Sequence, residues 1–228
     1  MTPVALIVIA KAPVPGRSKT RLCPPLTLPE AARVAEAALA DTLAVVSAVP
    51  AARRILALDG APGRWLPPGF DVVPQSEGGL DARIAAAFDH AAAPALLVGM
   101  DTPQLTPELL ERAITALTDP GIDAVIGEAP DGGYWAVGLR AADARVFDGI
   151  PMSTARTGHA QRERFGALGL RWRELGALRD VDTFADALGV AAQAPTSRFA
   201  AALATTRPTP SKPWPMPMPP RGSRFQTA

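Results

Sequence analysis

Val4-Ala5-Leu6-Ile7-Val8-Ile9-Ala10 runs directly into KAPVPGRSKTRL, Lys11 to Leu22. How that junction is understood settles the architecture. Seven apolar residues rich in β-branched types read as a buried strand. The run is far shorter than the ~18–20 residues a membrane span needs, and no other run approaches that length. No cationic segment precedes it and Lys11 closes it, so it does not read as a leader peptide. A cytoplasmic protein with no membrane span is expected. In open α/β sheets, ligands bind in the crevice beyond the carboxyl ends of the strands. The loop at Lys11 to Leu22 stands where such a crevice begins.

Outward from that junction, apolar runs alternate with helical patterns. Pro29–Ala48 reads as a long helix. Thr27 and Glu30 have capping-box spacing, and Pro29 sits in the first turn, where its missing N–H costs nothing. Strands are expected at Arg54–Leu58, Val72–Val73, Ala95–Val98, Asp123–Ile126 and Tyr134–Leu139. Helices are expected at Asp81–Ala92, from Thr106-Pro107 through Leu117, at Gly158–Leu168 and, last, at Thr183–Leu188. Strands separated by helices predict an α/β fold, a three-layer α/β/α sandwich around a mostly parallel sheet. Asp131-Gly132 lies between two strand-like runs and reads as a hairpin turn, which would make one strand antiparallel. There is no internal repeat.

With 228 residues, 48% of them hydrophobic, the chain can bury one large core and is not disordered throughout. We divide it into a folded unit, residues 1–204, and a tail, residues 205–228. The tail has proline at 208, 210, 213, 215, 217, 219 and 220 and is expected to be extended and disordered. The single cysteine, Cys23, excludes a disulfide framework and a cysteine-based zinc site. Residues 1–204 carry 19 basic and 22 acidic side chains. That mildly acidic balance argues against a nucleic-acid partner.

Only three lysines occur, and Lys11 and Lys19 share the first loop with Arg17 and Arg21. Four cations so close would repel one another without an anion between them. A di- or triphosphate would supply it, approached through Gly16. The loop lacks the glycine pattern of a Walker A loop and of a dinucleotide fingerprint. A solvated surface loop is the plainer alternative. Asp101 in Val98–Pro103 stands just past a buried strand and could bind Mg²⁺ or Mn²⁺ through oxygen, or could simply close an Asx turn. Asp180 and Asp182, at i and i+2 of an extended run, share one face and suit a common cation. Asp182 is alternatively the N-cap of the next helix. Asp131, Gly132, Gly133 and Tyr134 read either as a hairpin or as an acceptor-binding turn. Ser153 and Thr154 supply hydroxyls before a helix, as an anion site or as turn chemistry. His90 reads as a surface residue, and His159 as a weak candidate for acceptor contact.

Five ordered runs, APVPGRSKTRL, GMDTPQL, PDGGYWAVGL, PMSTARTG and RDVDT, resemble the DUF2064 family across about residues 4–190. Its members are often described as glycosyltransferases of the nucleotide-diphospho-sugar transferase (GT-A) superfamily, which has a Rossmann-like fold. That superfamily includes the molybdenum cofactor and 2-phospholactate guanylyltransferases. The resemblance implies a nucleotide site at Ala10, Lys11, Gly16, Arg17, Lys19, Arg21, Gly78 and Asp101. It implies Asp101 and Lys19 as catalytic groups, and Mg²⁺ or Mn²⁺ on Asp101, Asp180 and Asp182. It also implies a small-molecule acceptor near Asp131, Gly132, Gly133, Tyr134, Ser153 and Thr154. Where the family often shows Q-x-x-G-D-L-G-x-R, this chain has QSEGGLDAR, so Gly79 replaces an acid and Asp81 a glycine. Met152 stands where tryptophan is common.

The expected activity is metal-dependent transfer from a nucleotide-activated donor, most simply glycosyl transfer from a nucleotide sugar. Nucleotidylyl transfer from a nucleoside triphosphate, releasing pyrophosphate, uses the same groups. A non-catalytic nucleotide-binding module is the third possibility.

Overall fold

The computed structural model describes residues 3–92 and 94–207. The proline-rich run at 208–228, expected to be a disordered tail, lies outside the described residues. Seven strands form one sheet in the order β3-β2-β1-β4-β6-β5-β7. Their ranges are β1 Ala5–Lys11, β2 Arg54–Asp59, β3 Asp71–Pro74, β4 Ala95–Gly99, β5 Ala124–Glu128, β6 Tyr134–Leu139 and β7 Trp172–Leu175. The antiparallel strand expected from Asp131-Gly132 is β6, which runs against both β4 and β5. The remaining neighbours are parallel.

Side chains on β1 alternate between the two faces, as a pleated strand requires. Leu6, Val8 and Ala10 pack toward Ala35, Leu39 and Leu43 of α1 (Leu28–Ala48) and Leu110 and Leu117 of α3 (Pro107–Thr118). Ala5 and Ile7 pack toward Ile84 and Phe88 of α2 (Leu80–Ala91) and Phe165 of α4 (Thr157–Ala167). The expected three-layer sandwich is therefore the fold. A third cluster uses the opposite side of α1. Ala31, Val34 and Ala38 bury Leu22, Ala187 and Val190 of α5 (Phe184–Gln193), and Phe199 and Leu203 of α6 (Arg198–Ala204). Helix α1 is thus apolar on two faces.

Three local expectations change. Helix α5 is not the last, because α6 follows it, started by Ser197, whose side chain accepts from the Ala200 amide. β7 escapes notice because it is a short edge strand, mostly exposed and half charged, with no alternation to read. Asp182 does not cap α5. Thr183 does, in a reciprocal capping box with Asp186. The capping box read at Thr27 and Glu30 is present at the start of α1.

Candidate functional site

The carboxyl ends of β1 and β4 open into a cleft of about 470 Å³. Its lining combines apolar side chains, Ile9, Leu80, Ile84, Leu97 and Met152, with charged ones. An adjoining hollow of about 250 Å³ contains Arg17 and Lys19 and shares Lys11, Arg21, Asp101 and Asp182 with the cleft. The basic loop and the aspartates therefore meet in one place, at the strand ends where open sheets hold their ligands.

On the cation side one carboxylate serves three cations. Asp59, the last residue of β2, lies 3.8 Å from Lys11 Nζ, 3.6 Å from Arg17 Nη2 and 3.8 Å from Arg83 Nη1. Part of the negative charge that the basic loop calls for is thus supplied from within the chain, and the three cations keep a positive excess. Gln75 braces this side: its amide nitrogen donates to the Ala10 and Ala57 carbonyls, and its oxygen accepts from Arg83. Gly16 and Gly78 adopt φ +79° and +100°, left-handed conformations that favour glycine, and the Gly78 carbonyl accepts from Arg83 Nε.

Lys19 crosses to the acid side. Its side chain is only 10% exposed, and its ammonium lies 2.8 Å from Asp101 Oδ2 and 3.6 Å from Asp182 Oδ1. It also donates to the Val181 carbonyl. Arg21 Nη1 donates to Asp182 Oδ2 at 3.1 Å. Two of the expected nucleotide contacts, Lys19 and Asp101, are thus bound to each other.

Asp131, Asp180 and Asp182 each offer one carboxylate oxygen within 4.8 Å of the others. Asp131 is held by its hairpin, accepting from the Gly133 amide at 2.8 Å. Among the described residues, neither Asp131 nor Asp180 makes an ion pair. Burial, reinforced by the charges of Asp131 and Asp182 and opposed by Lys19, pushes Asp180 up to about 6. The structure groups Asp131 with the Asp180–Asp182 pair and assigns Asp101 to Lys19, so the trio differs by one member from the expected Asp101, Asp180 and Asp182. Asp101 Oδ1 and the Thr102 hydroxyl are buried without a partner among the described residues.

Of the expected acceptor residues, Asp131, Gly133, Tyr134 and Ser153 line the cleft, joined by Thr157. Gly132 and Thr154 serve the turns instead. A Cβ on Gly132 would lie 2.2 Å from the Ala155 carbonyl, and the Gly132 carbonyl accepts from the Gly158 amide. The Thr154 hydroxyl donates to the Pro151 carbonyl. Burial and the nearby Asp81 push the Tyr134 phenol up, so it stays protonated and cannot act as a base at neutral pH. His159 is 68% exposed and pairs with Glu163, away from the cleft, and His90 is exposed as expected. Gly79 and Asp81 lie against each other in the fold. A Cβ on Gly79 would meet Asp81 Oδ1 at 2.3 Å, and Asp81 sits in the first turn of α2, where the helix dipole favours a carboxylate.

Sequence reasoning missed Asp59, Gln75 and Arg83. The signal for Asp59 was available: like Asp101, it follows directly on the apolar run of a strand.

No curated protein is significantly similar in sequence. Among solved structures, one from Desulfovibrio desulfuricans G20, described as a candidate nucleotide-diphospho-sugar transferase, is 27% identical. It covers 90% of this chain and 95% of that one, with a TM-score of 0.78. A 4-diphosphocytidyl-2C-methyl-D-erythritol synthase from Anaerococcus prevotii is 12% identical over 85% of this chain and 96% of that one, with a TM-score of 0.55. A cytidylyltransferase from Leptospira borgpetersenii is also 12% identical, over 90% of this chain and 93% of that one, at 0.55. These last two share the fold. The family model described as "Uncharacterized protein conserved in bacteria (DUF2064)" matches residues 32–154, which include GMDTPQL and PDGGYWAVGL. That match spans more than half of the sequence, and the chain belongs to the DUF2064 family.

Proposed function

We propose that this chain is a divalent-metal-dependent transferase that takes a nucleotide-activated donor, with glycosyl transfer from a nucleotide sugar as its reaction. One observation carries the reading: a set of cations and a trio of carboxylates, two of them (Asp131 and Asp180) without an ion pair among the described residues, converge on a single cleft at the strand ends. The likeness to the Desulfovibrio protein supports the same donor class.

The residues fit a hard cation. Three oxygens within 4.8 Å of one another are near enough to converge, with small side-chain shifts, on one Mg²⁺, Mn²⁺ or Ca²⁺ ion at ~2.0–2.6 Å. A divalent ion held by Asp131, Asp180 and Asp182 would neutralise the donor's diphosphate. Lys11, Arg17 and Arg83 exchange Asp59 for phosphate oxygens, and Arg21 offsets charge on the departing nucleoside diphosphate. Lys19 keeps Asp101 and Asp182 in place. The acceptor lies against Gly133, Tyr134 and Ser153, and the apolar side chains of the lining exclude water from the competing hydrolysis. Residues 1–204 are the catalytic unit in this reading. A chain ending at Arg207, which keeps the bond from the Arg207 amide to Glu30, retains activity.

The test is a thermal-shift screen of nucleotides and sugar nucleotides with and without Mn²⁺, followed by product assay. Released nucleoside diphosphate supports glycosyl transfer. Released pyrophosphate supports the second reading, nucleotidylyl transfer, which is favoured by a loop whose cations could accompany a triphosphate. Binding without turnover, surviving Asp131→Asn, identifies a non-catalytic module and overturns both.

A further inference from the structure

Asp180 and Asp182 sit on residues 176–182, an extended run between β7 and α5 with no regular structure of its own. Such a run has no ladder to fix it, yet a metal site needs its ligands held closely. The run is held by groups from three other elements. The Trp135 indole N–H, from β6, donates to the Gly176 carbonyl at 2.9 Å. The Leu178 amide donates to the Glu128 carbonyl at 3.1 Å. The Gln104 side-chain amide, from the turn after β4, donates to the Arg179 carbonyl. The Val181 amide donates to the Asp101 carbonyl at 3.0 Å. Asp180 is therefore flanked on both sides by residues anchored to the turn at 101–104.

Two of these anchors are uncharged side chains outside the acidic cluster. The space for one of them is built deliberately: a Cβ on Gly127 would stand 2.3 Å from Trp135 Nε1 and 2.5 Å from Cε2. Only a residue without a side chain lets the indole lie across β5 and reach Gly176. This gap coincides with the register shift between Gly127 and Glu128.

We infer that Trp135 and Gln104 are positioning residues: their N–H donors suspend residues 176–182 so that Asp180 and Asp182 face Asp131 across the cleft. This rests on the metal reading above. Partners of this kind, which orient ligands without touching the ion, typically change metal affinity 10–100-fold when lost.

Trp135→Phe keeps the ring and removes the N–H, and Gln104→Met keeps the length and removes the amide. Mn²⁺ affinity is measured by electron paramagnetic resonance and calorimetry, and amide hydrogen exchange is followed in metal-free protein. Each variant is expected to bind Mn²⁺ about 10–100-fold more weakly. Each should also lose protection at the Leu178 and Val181 amides, while metal-free nucleotide affinity stays at the wild-type value. A general packing role would instead weaken nucleotide binding along with metal binding. If wild type binds Mn²⁺ and both variants bind equally well, this inference alone falls. If wild type binds neither Mn²⁺ nor Mg²⁺, the metal reading falls and the inference with it. An effect confined to one variant removes the other residue from the proposal. Should Trp135→Phe fail to fold, Gln104→Met decides.

Discussion

The half of the sheet formed by β3, β2 and β1 and the half formed by β6, β5 and β7 bring opposite charge to the cleft, and they treat it differently. On the first, Lys11, Arg17 and Arg83 share a carboxylate that comes from the same half, Asp59. On the second, Asp131 and Asp180 face each other and Asp182 with no ion pair of their own among the described residues. Three cations against one carboxylate leave the first half positive before any ligand arrives. The second stores like-charge repulsion at Asp131 and Asp180, which Lys19 and Arg21 offset mainly at Asp182 and which a bound cation would relieve. Function here is paid for on one side of the molecule, and the difference indicates which side.

The strongest challenge to this contrast is Asp180→Asn. It should abolish Mn²⁺ binding and cost roughly 10²–10³ in turnover, the scale of losing one preorganised electrostatic contact. The same variant should melt about 1–3 °C higher than metal-free wild type at neutral pH, since it removes repulsion. The sign follows from linkage. Asp180 titrates near 6 in the fold against a usual 3.8, so its contribution is favourable at low pH and is lost as pH rises through that interval. The gain in melting temperature should therefore be largest above pH 6 and vanish below pH 4. Differential scanning calorimetry across pH measures both.

Next in size is Lys19→Met, which strands Asp101 at the boundary between the halves and leaves Asp182 to Arg21 alone. Removing one member of a largely buried pair should cost about 2–3 kcal/mol in urea unfolding. Adding Asp101→Asn should restore part of that loss, a coupling that a double-mutant cycle reads directly. On the cationic half, Asp59→Asn should strengthen metal-free pyrophosphate binding only a few-fold, roughly 0.5–1 kcal/mol, with a steeper salt dependence. The smallest functional effect belongs to Thr27→Ala, far from the cleft. Loss of the α1 cap should lower stability by about 1 kcal/mol and leave nucleotide affinity unchanged.

What could be read in the chain divides along physical lines. β1, β4 and α1 announce themselves because alternation, apolar runs and the Thr27–Glu30 box are local patterns. β7 carries no such pattern, and α6 shows only Ser197 with Phe199 and Leu203 one helical turn apart. Asp101 was visible past a strand, Asp131 in a hairpin turn and Asp180 with Asp182 as an i, i+2 pair, but their grouping was not. Whether Asp101 or Asp131 joins Asp180 depends on which carboxylate Lys19 holds, a choice made across 162 residues between Lys19 and Val181. Asp59 was visible at the end of a strand, but its partners were not, since they come from the end of β1, the loop that follows it and α2.

The placement of Asp59 has a consequence for what the cleft admits. A carboxylate tethered to the chain competes at an effective concentration in the millimolar range or higher. Orthophosphate or sulfate, meeting the three cations one contact at a time, gains little by displacing it. A polyphosphate that spans several cations and reaches the opposite wall gains enough. The tethered competitor thus acts as a sieve for multivalent ligands, turning away small anions without any gate that has to move.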